Sequence, residues 1–210
     1  MTSIVLERLY FETNPENILW QFCQTAQEQE RALPPEQRFK SSGGIGTQVR
    51  LYKFWSKPII GAWLGNTLIG LDVRTLNKLK WPIWGRYLKN YVVYVLPEFR
   101  RGGTARTIYS LVKQQAYEQG CNRLFTRAQS FYGAVFHYSM GHQFWGQASN
   151  GEFLIDTPLD DRPYPIIPPD PLLEFNVPLW PMTKQDIAAA LLLPPFSAEP
   201  DRVEKWLRSE

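Results

Sequence analysis

Residues 93–112 read "VYVLPEFRRGGTARTIYSLV". Val93–Val95 is β-branched and aromatic, Pro97 ends that run, and Ile108, Leu111, Val112 and Ala116 then recur at helical spacing up to Gly120. The pattern predicts a strand, a sharp break, and a helix from Thr104. In the break stand Arg100, Arg101, Gly102, Gly103 and Thr104. A helix start carries unpaired N–H groups and a partial positive charge, which suit an anion. Two glycines let the backbone approach that anion closely, and Ala105 keeps the first turn open. With two arginines adding charge, the stretch reads as a seat for a diphosphate.

Working outward, residues 3–10 are predicted as a strand, and Asn14-Pro15-Glu16 as the start of a helix running to about residue 31. "ALPPEQRFKSSGGIGTQ" reads as a loop. Its Gly43-Gly44-Ile45-Gly46 leads into a strand-like run without a following Lys-Ser/Thr, which argues against a nucleotide-binding loop there. Strands at 58–64 and 67–75 form a hairpin turning at Gly65-Asn66, and residues 90–96 form the next strand. "NRLFTRA" is a fifth strand, 132–140 a short helix, and a last hairpin turns near Asn150-Gly151. The order is mixed α/β with several antiparallel neighbours. Eleven of the 17 prolines fall between residues 158 and 200, so residues 158–210 are predicted as a Pro/Trp-rich extended arm. Within it, Thr183 and Asp186 resemble a capping box, and a further helical turn or two is expected around Val203–Leu207.

Composition bounds the function. The 210 residues are 44% hydrophobic and 20% charged, enough for one main domain with a substantial core. A net charge of +3 falls short of a dedicated nucleic-acid binder. Cys23 and Cys121 suggest neither a disulfide framework nor a metal site. No signal segment or membrane span is legible, so an intracellular, cytoplasmic protein without membrane attachment is expected.

The pattern Val95-x-Pro97-x-x-Arg100-x-x-Gly103-x-Ala105, set between a strand and a helix, resembles motif A of the GNAT superfamily of acyl-CoA N-acyltransferases. That signature is Arg/Gln-x-x-Gly-x-Gly/Ala, and the resemblance covers residues 3–157. It implies a central mixed, mostly antiparallel sheet of about six or seven strands flanked by helices, with the segment from 158 outside it. It also implies acetyl-CoA as co-substrate, with amides from Arg101, Gly102, Gly103, Thr104 and Ala105 cradling the pyrophosphate. The strand ending at Val95-Leu96 would splay from the fifth strand to admit the pantetheine arm, and an amide of Val95 or Leu96 would polarise the thioester carbonyl.

The family's Ala-x-x-x-Tyr-x-x-x-Gly-Phe pattern, whose tyrosine is assigned the acid role, aligns here with "GAVFHYSMGH". It puts His137 at the tyrosine, with Tyr138 next door. His137 could act as acid because imidazolium titrates near neutrality; Tyr138 could if the helix shifted by one residue; or both simply pack. Tyr94 is a candidate for the acceptor side, and Asp72 or Glu98 for the base. Arg106, Lys113, Arg123 and Arg127 are candidates for the 3′-phosphate, and Trp81, Trp84, Trp145 and Trp180 for an acceptor roof or docking surface. The function implied is transfer of acetyl from acetyl-CoA to a primary amine on a small molecule or protein, without a metal. The alternative is a GNAT-fold protein of little turnover that binds coenzyme A and assembles, as a homo-oligomer or in a larger complex, through its C-terminal arm. Nucleic acid is not an expected partner.

Overall fold

The computed structural model describes residues 3–10, 12, 14, 16–39, 44–78, 86–161, 168 and 170–209. Its strands are β1 (Ile4–Leu9), β2 (Ile59–Leu64), β3 (Thr67–Lys78), β4 (Arg86–Val95), β5 (Cys121–Ala128), β6 (Gln143–Gln147) and β7 (Phe153–Pro158). Its helices are α1 (Ile18–Ala32), α2 (Gly44–Phe54), α3 (Thr104–Glu118), α4 (Phe131–Ser139), α5 (Asp170–Leu173), α6 (Lys184–Leu191) and α7 (Pro200–Arg208). The sheet order is β1-β2-β3-β4-β5-β7-β6. Its described ladders are antiparallel except β4 with β5, which is the mixed, mostly antiparallel sheet expected. Residues 1–75 with 90–115 form one compact unit, and 76–89 with 116–210 a second. Among the described residues no helix is long and apolar enough to cross a membrane.

In the first unit, β1 pairs with β2 from Ile4↔Leu64 to Leu9↔Ile59, and β2 turns back into β3 through Gly65 at φ 59°. Helix α1 buries Leu19, Phe22, Cys23 and Ala26, the i, i+3, i+4, i+7 face of an amphipathic helix. Its cap is Asn17, whose side chain accepts from Leu19 and Trp20 N–H, both at 3.1 Å. The expected start at Asn14 lies three residues upstream, where Asn14 instead accepts from Glu16 N–H at 3.0 Å; Pro15 lies outside the described residues. The larger correction is α2. The strand expected after the glycines is a helix that buries Ile45, Val49 and Tyr52. Their four- and three-residue spacing is helical, and the glycine-rich entrance concealed it. Gly46 belongs to the packing, since a Cβ there would stand 3.6 Å from Cys23 Cβ.

In the second unit, Arg86–Lys89 of β4 pair with Cys121–Phe125, and β5 pairs with β7 from Arg123↔Pro158 to Ala128↔Phe153. The described part of 158–210 is not a free arm. Leu172, Phe175, Val177 and Leu179 pack with Phe125, Trp145 and Leu154. Ile187, Leu191, Phe196, Val203 and Trp206 pack with Ala134, Phe144, Phe153 and Ile155. Trp180 and Met182 N–H donate to Trp145 and Phe144 carbonyls at 3.1 and 2.9 Å, covering the outer edge of β6. Proline at 178 and 181 leaves those alternate donors intact, so a proline-rich chain still serves as an edge partner. The capping box forms as read: Thr183 Oγ1 accepts from Asp186 N–H, and the Asp186 carboxylate accepts from Thr183 N–H.

Candidate functional site

Strand β4 delivers the break. Leu96 N–H donates to Ile69 carbonyl at 2.9 Å, then Pro97–Phe99 makes one 3-10 turn, closed by Arg100 N–H on Pro97 carbonyl at 3.1 Å. Arg101 and Gly103 take left-handed conformations, φ 69° and 81°, and α3 begins at Thr104. Two positive φ values within three residues make a turn of the kind that can gather successive N–H groups, as anion-binding nests do. A Cβ on Gly102 or Gly103 would meet nothing within 4 Å among the described residues, so the space beside these two glycines is open. Among the described residues, no side-chain acceptor meets the N–H groups of Gly102, Gly103, Thr104 or Ala105, and the first turn of α3 holds no acid.

Beneath this start lies a close approach that the sequence did not signal. A Cβ on Gly70 in β3 would stand 2.5 Å from Tyr94 carbonyl oxygen and 3.2 Å from Ile108 Cδ1. Glycine there lets β3, β4 and α3 come together, so Gly70 fixes where the helix starts. Of the two amides expected to meet a thioester, Leu96 is already committed to Ile69. Neighbouring N–H groups leave opposite edges of a strand, so Val95 N–H is on the edge of β4 away from β3.

The side chains around the break depart from expectation. Arg100 does not face the seat: its Nε donates to Val95 carbonyl at 2.9 Å, its Nη2 pairs with Glu30 Oε1, and its guanidinium lies 5.3 Å from the Tyr94 ring centroid. Arg101 is exposed and donates to Gln37 Oε1 at 2.8 Å. Tyr94 does not line an acceptor cleft either. Its ring is buried edge-on to Phe22 and Phe39, and its hydroxyl donates to Glu30 Oε1 at 2.9 Å. Burial, reinforced by the Glu30 carboxylate, pushes the phenol far above its ordinary range. Glu30 also accepts from Phe39 N–H at 2.7 Å. No local pattern marks Glu30 or Gln37, because the Tyr94, Arg100 and Arg101 side chains they engage lie more than sixty positions away.

Neither candidate base is free. Asp72 is fully buried, with Arg74 Nε at 3.0 Å and Asn90 Nδ2 donating at 2.5 Å, and burial raises its carboxyl to about 6. It is a paired internal acid. Glu98 accepts from Gln29 on the surface at 2.9 Å.

In the second unit, His137 lies on α4, buried, with its Nδ1 3.0 Å from His142 Nδ1, so one ring donates and the other accepts. Burial lowers its pKa to about 3. The ring is therefore neutral near pH 7, and the imidazolium acid expected from its ordinary titration does not exist there. Tyr138 is 37% exposed; its ring meets Trp206 edge-on at 5.4 Å, and Lys184 Nζ stands 5.8 Å from its centroid. Arg123 is no phosphate ligand, since it is buried in a two-pronged pair with Asp156. Arg127 pairs with Glu152 at 2.9 Å and lies over Phe175 at 4.6 Å. Arg106 and Lys113 remain on α3, where burial first, and then Arg106, lowers the Lys113 pKa. Trp145 is buried and Trp180 is 47% exposed; Trp81 and Trp84 lie outside the described residues.

No family's sequence profile matches the chain, and no curated protein matches it. Solved structures do. An acetyltransferase from Thermus thermophilus aligns over 75% of this chain and 99% of its own, with a TM-score of 0.53 and 12% identity. PaiA N-acetyltransferase from Thermoplasma acidophilum, solved in complex with coenzyme A, aligns over 74% and 99%, with a TM-score of 0.53 and 15% identity. A GNAT-family protein from Desulfovibrio desulfuricans aligns over 75% of this chain and all of its own, at 0.50 and 12%. At such identities only the backbone path is shared, and that path is the GNAT fold.

Proposed function

We propose that this chain is an acyl-CoA-dependent N-acetyltransferase that seats the diphosphate of acetyl-CoA on the amides of Arg101–Ala105. The observation that carries the reading is the start of α3, preceded by two left-handed residues and with open space beside Gly102 and Gly103 among the described residues. The fold it shares with a coenzyme A complex supports it. Acetyl-CoA supplies the activated thioester; the protein supplies the anion seat, the outward amide of Val95 as a donor to the developing oxyanion, and exclusion of misoriented acceptors. An uncharged amine attacks the carbonyl carbon, the C–N bond forms as the C–S bond breaks, and the amine's proton passes to solvent. The departing thiolate takes a proton from solvent. The acceptor is a primary amine on a small molecule or a protein.

A second reading rests on the engagement of the other catalytic candidates. Tyr94 is tied to Glu30 and His137 to His142, which suits a coenzyme A-binding protein with little turnover. Both readings need the seat, so it is tested first. Gly102→Asp places a carboxylate in open space, and calorimetry is expected to show acetyl-CoA affinity falling at least about tenfold with the melting temperature held or raised. Unchanged affinity removes the site. Thiol release against polyamine, amino-sugar, amino-acid and peptide amines then separates the readings. Turnover with any of these amines supports the enzyme; tight binding with no release from any amine supports the second reading.

A further inference from the structure

Arg100 sits inside the motif, yet its guanidinium turns away from the open amides and towards α1. There it meets a carboxylate with three donors on it. Glu30 Oε1 accepts from Arg100 Nη2 and from the Tyr94 hydroxyl, and Oε2 accepts from Phe39 N–H. The Glu30 side chain is only 12% exposed, so this ion pair is largely withdrawn from water and held by neutral donors as well. The same guanidinium donates through Nε to Val95 carbonyl, and Nη1 lies 3.5 Å from Gln37 carbonyl. One arginine thus ties the last residue of β4 to α1 and to the segment after it. The next residue, Arg101, enters the left-handed region and is tied to Gln37 Oε1. Beyond it, Gly102 and Gly103 have no neighbour that a Cβ would touch. The anchors of the break are therefore two side chains of the 30–37 segment acting on residues 100 and 101.

We infer that Glu30 is a positioning residue for the diphosphate seat: it holds Arg100 off the anion and in place, and so sets the direction of the amides from Arg101 to Ala105. Gln37 does the same for Arg101, more weakly. The inference rests on the proposed function, since it needs the diphosphate to sit on those amides.

The test compares three probes on the full chain by calorimetry: coenzyme A, adenosine 3′-phosphate 5′-diphosphate, and S-acetylpantetheine, which lacks the diphosphate. Glu30→Gln keeps the shape but removes the charge. It is expected to weaken the two diphosphate-bearing probes about tenfold, the loss of one charge-assisted hydrogen bond, and to leave S-acetylpantetheine unchanged. Glu30→Gln with Arg100→Gln is expected to be no worse than the weaker single variant, because both act through one contact. Equal weakening of all three probes would show general loosening and overturn the inference. So would additive losses, or binding that is unchanged or tighter, as when a released Arg100 reaches the anion itself. Gln37→Ala, at a surface position, covers the case in which Glu30→Gln does not fold. It is expected to cost the diphosphate-bearing probes two- to threefold, about a neutral hydrogen bond's share, and no change overturns the inference. If wild-type protein binds coenzyme A but Glu30→Gln binds it equally, only this inference fails. If wild type binds neither diphosphate-bearing probe, the proposed function fails and takes the inference with it.

Discussion

Two strands of this protein, β4 and β5, each run directly into a helix, and the two turns are finished in opposite ways. The turn after β5 is two residues long. Ser130 caps α4, its hydroxyl accepting from Gly133 N–H at 3.1 Å. The turn after β4 is longer, takes two left-handed residues, and leaves the first amides of α3 without a side-chain acceptor among the described residues. The chain has the means to cap a helix and uses it at Asn17, Ser130 and Thr183. Helix α7 also starts without a side-chain cap, at Glu199, so what sets α3 apart is the pair of left-handed residues before it, and orphan donors left open are useful where a ligand completes them.

The comparison can be broken most forcefully with acid, because the units bury titrating groups of opposite sign. His137, behind the closed turn, has a folded pKa of about 3 against 6.5 when exposed. The folded state holds fewer protons there, so stability falls as pH drops from 6.5 towards 3, by up to about 5 kcal/mol. Asp72, on the strand beneath the open turn, has a folded pKa of about 6 against 3.8. Its folded state holds the proton more tightly, so stability rises by up to about 3 kcal/mol as pH falls from 6 towards 4. Urea midpoints measured from pH 7 to 4 are expected to fall less steeply in His137→Gln than in wild type, and more steeply in Asp72→Asn. Identical slopes in all three would remove the contrast.

Next in size is the platform of the open turn. Gly70→Ala drives a Cβ against Tyr94 carbonyl, and overpacking of this kind costs about 1–3 kcal/mol. Denaturation should register that loss, with acetyl-CoA affinity falling as α3 shifts. A silent substitution would mean the close approach does not seat the helix. Smallest is the cap on the closed turn. Ser130→Ala is expected to cost about 1 kcal/mol and to leave acetyl-CoA affinity alone; a change in affinity would show the two turns to be functionally linked.

Much of this was legible in the chain, and what was missed has a physical pattern. The helix after Gly103, the hairpin at Gly65-Asn66 and the Thr183–Asp186 box were readable because propensity, capping and turn chemistry act over a few residues. Helix α2 escaped because glycines at its entrance outweighed the spacing of Ile45, Val49 and Tyr52. The segment after Pro158 read as an arm because proline excludes central strands and helix interiors. It does not exclude the alternate donors of an edge, and Trp180 and Met182 supply them. Among the candidate site residues, the backbone break before α3 was legible and the side-chain pairings around it were not. Arg100 looked like a phosphate ligand and is an anchor, and His137 looked like a proton donor until burial took its charge.

By itself, then, the sequence determined a strand, a break rich in arginine and glycine, and a helix start at Thr104, since those features depend on dihedrals and neighbours within one turn. Only the tertiary structure decided that Glu30 would reach Arg100 across seventy positions, that Gly70 would admit the helix, and that the apolar residues of the proline-rich segment would join a core. Such pairings are set by which faces meet when apolar surface leaves water, and no window along the chain contains both partners.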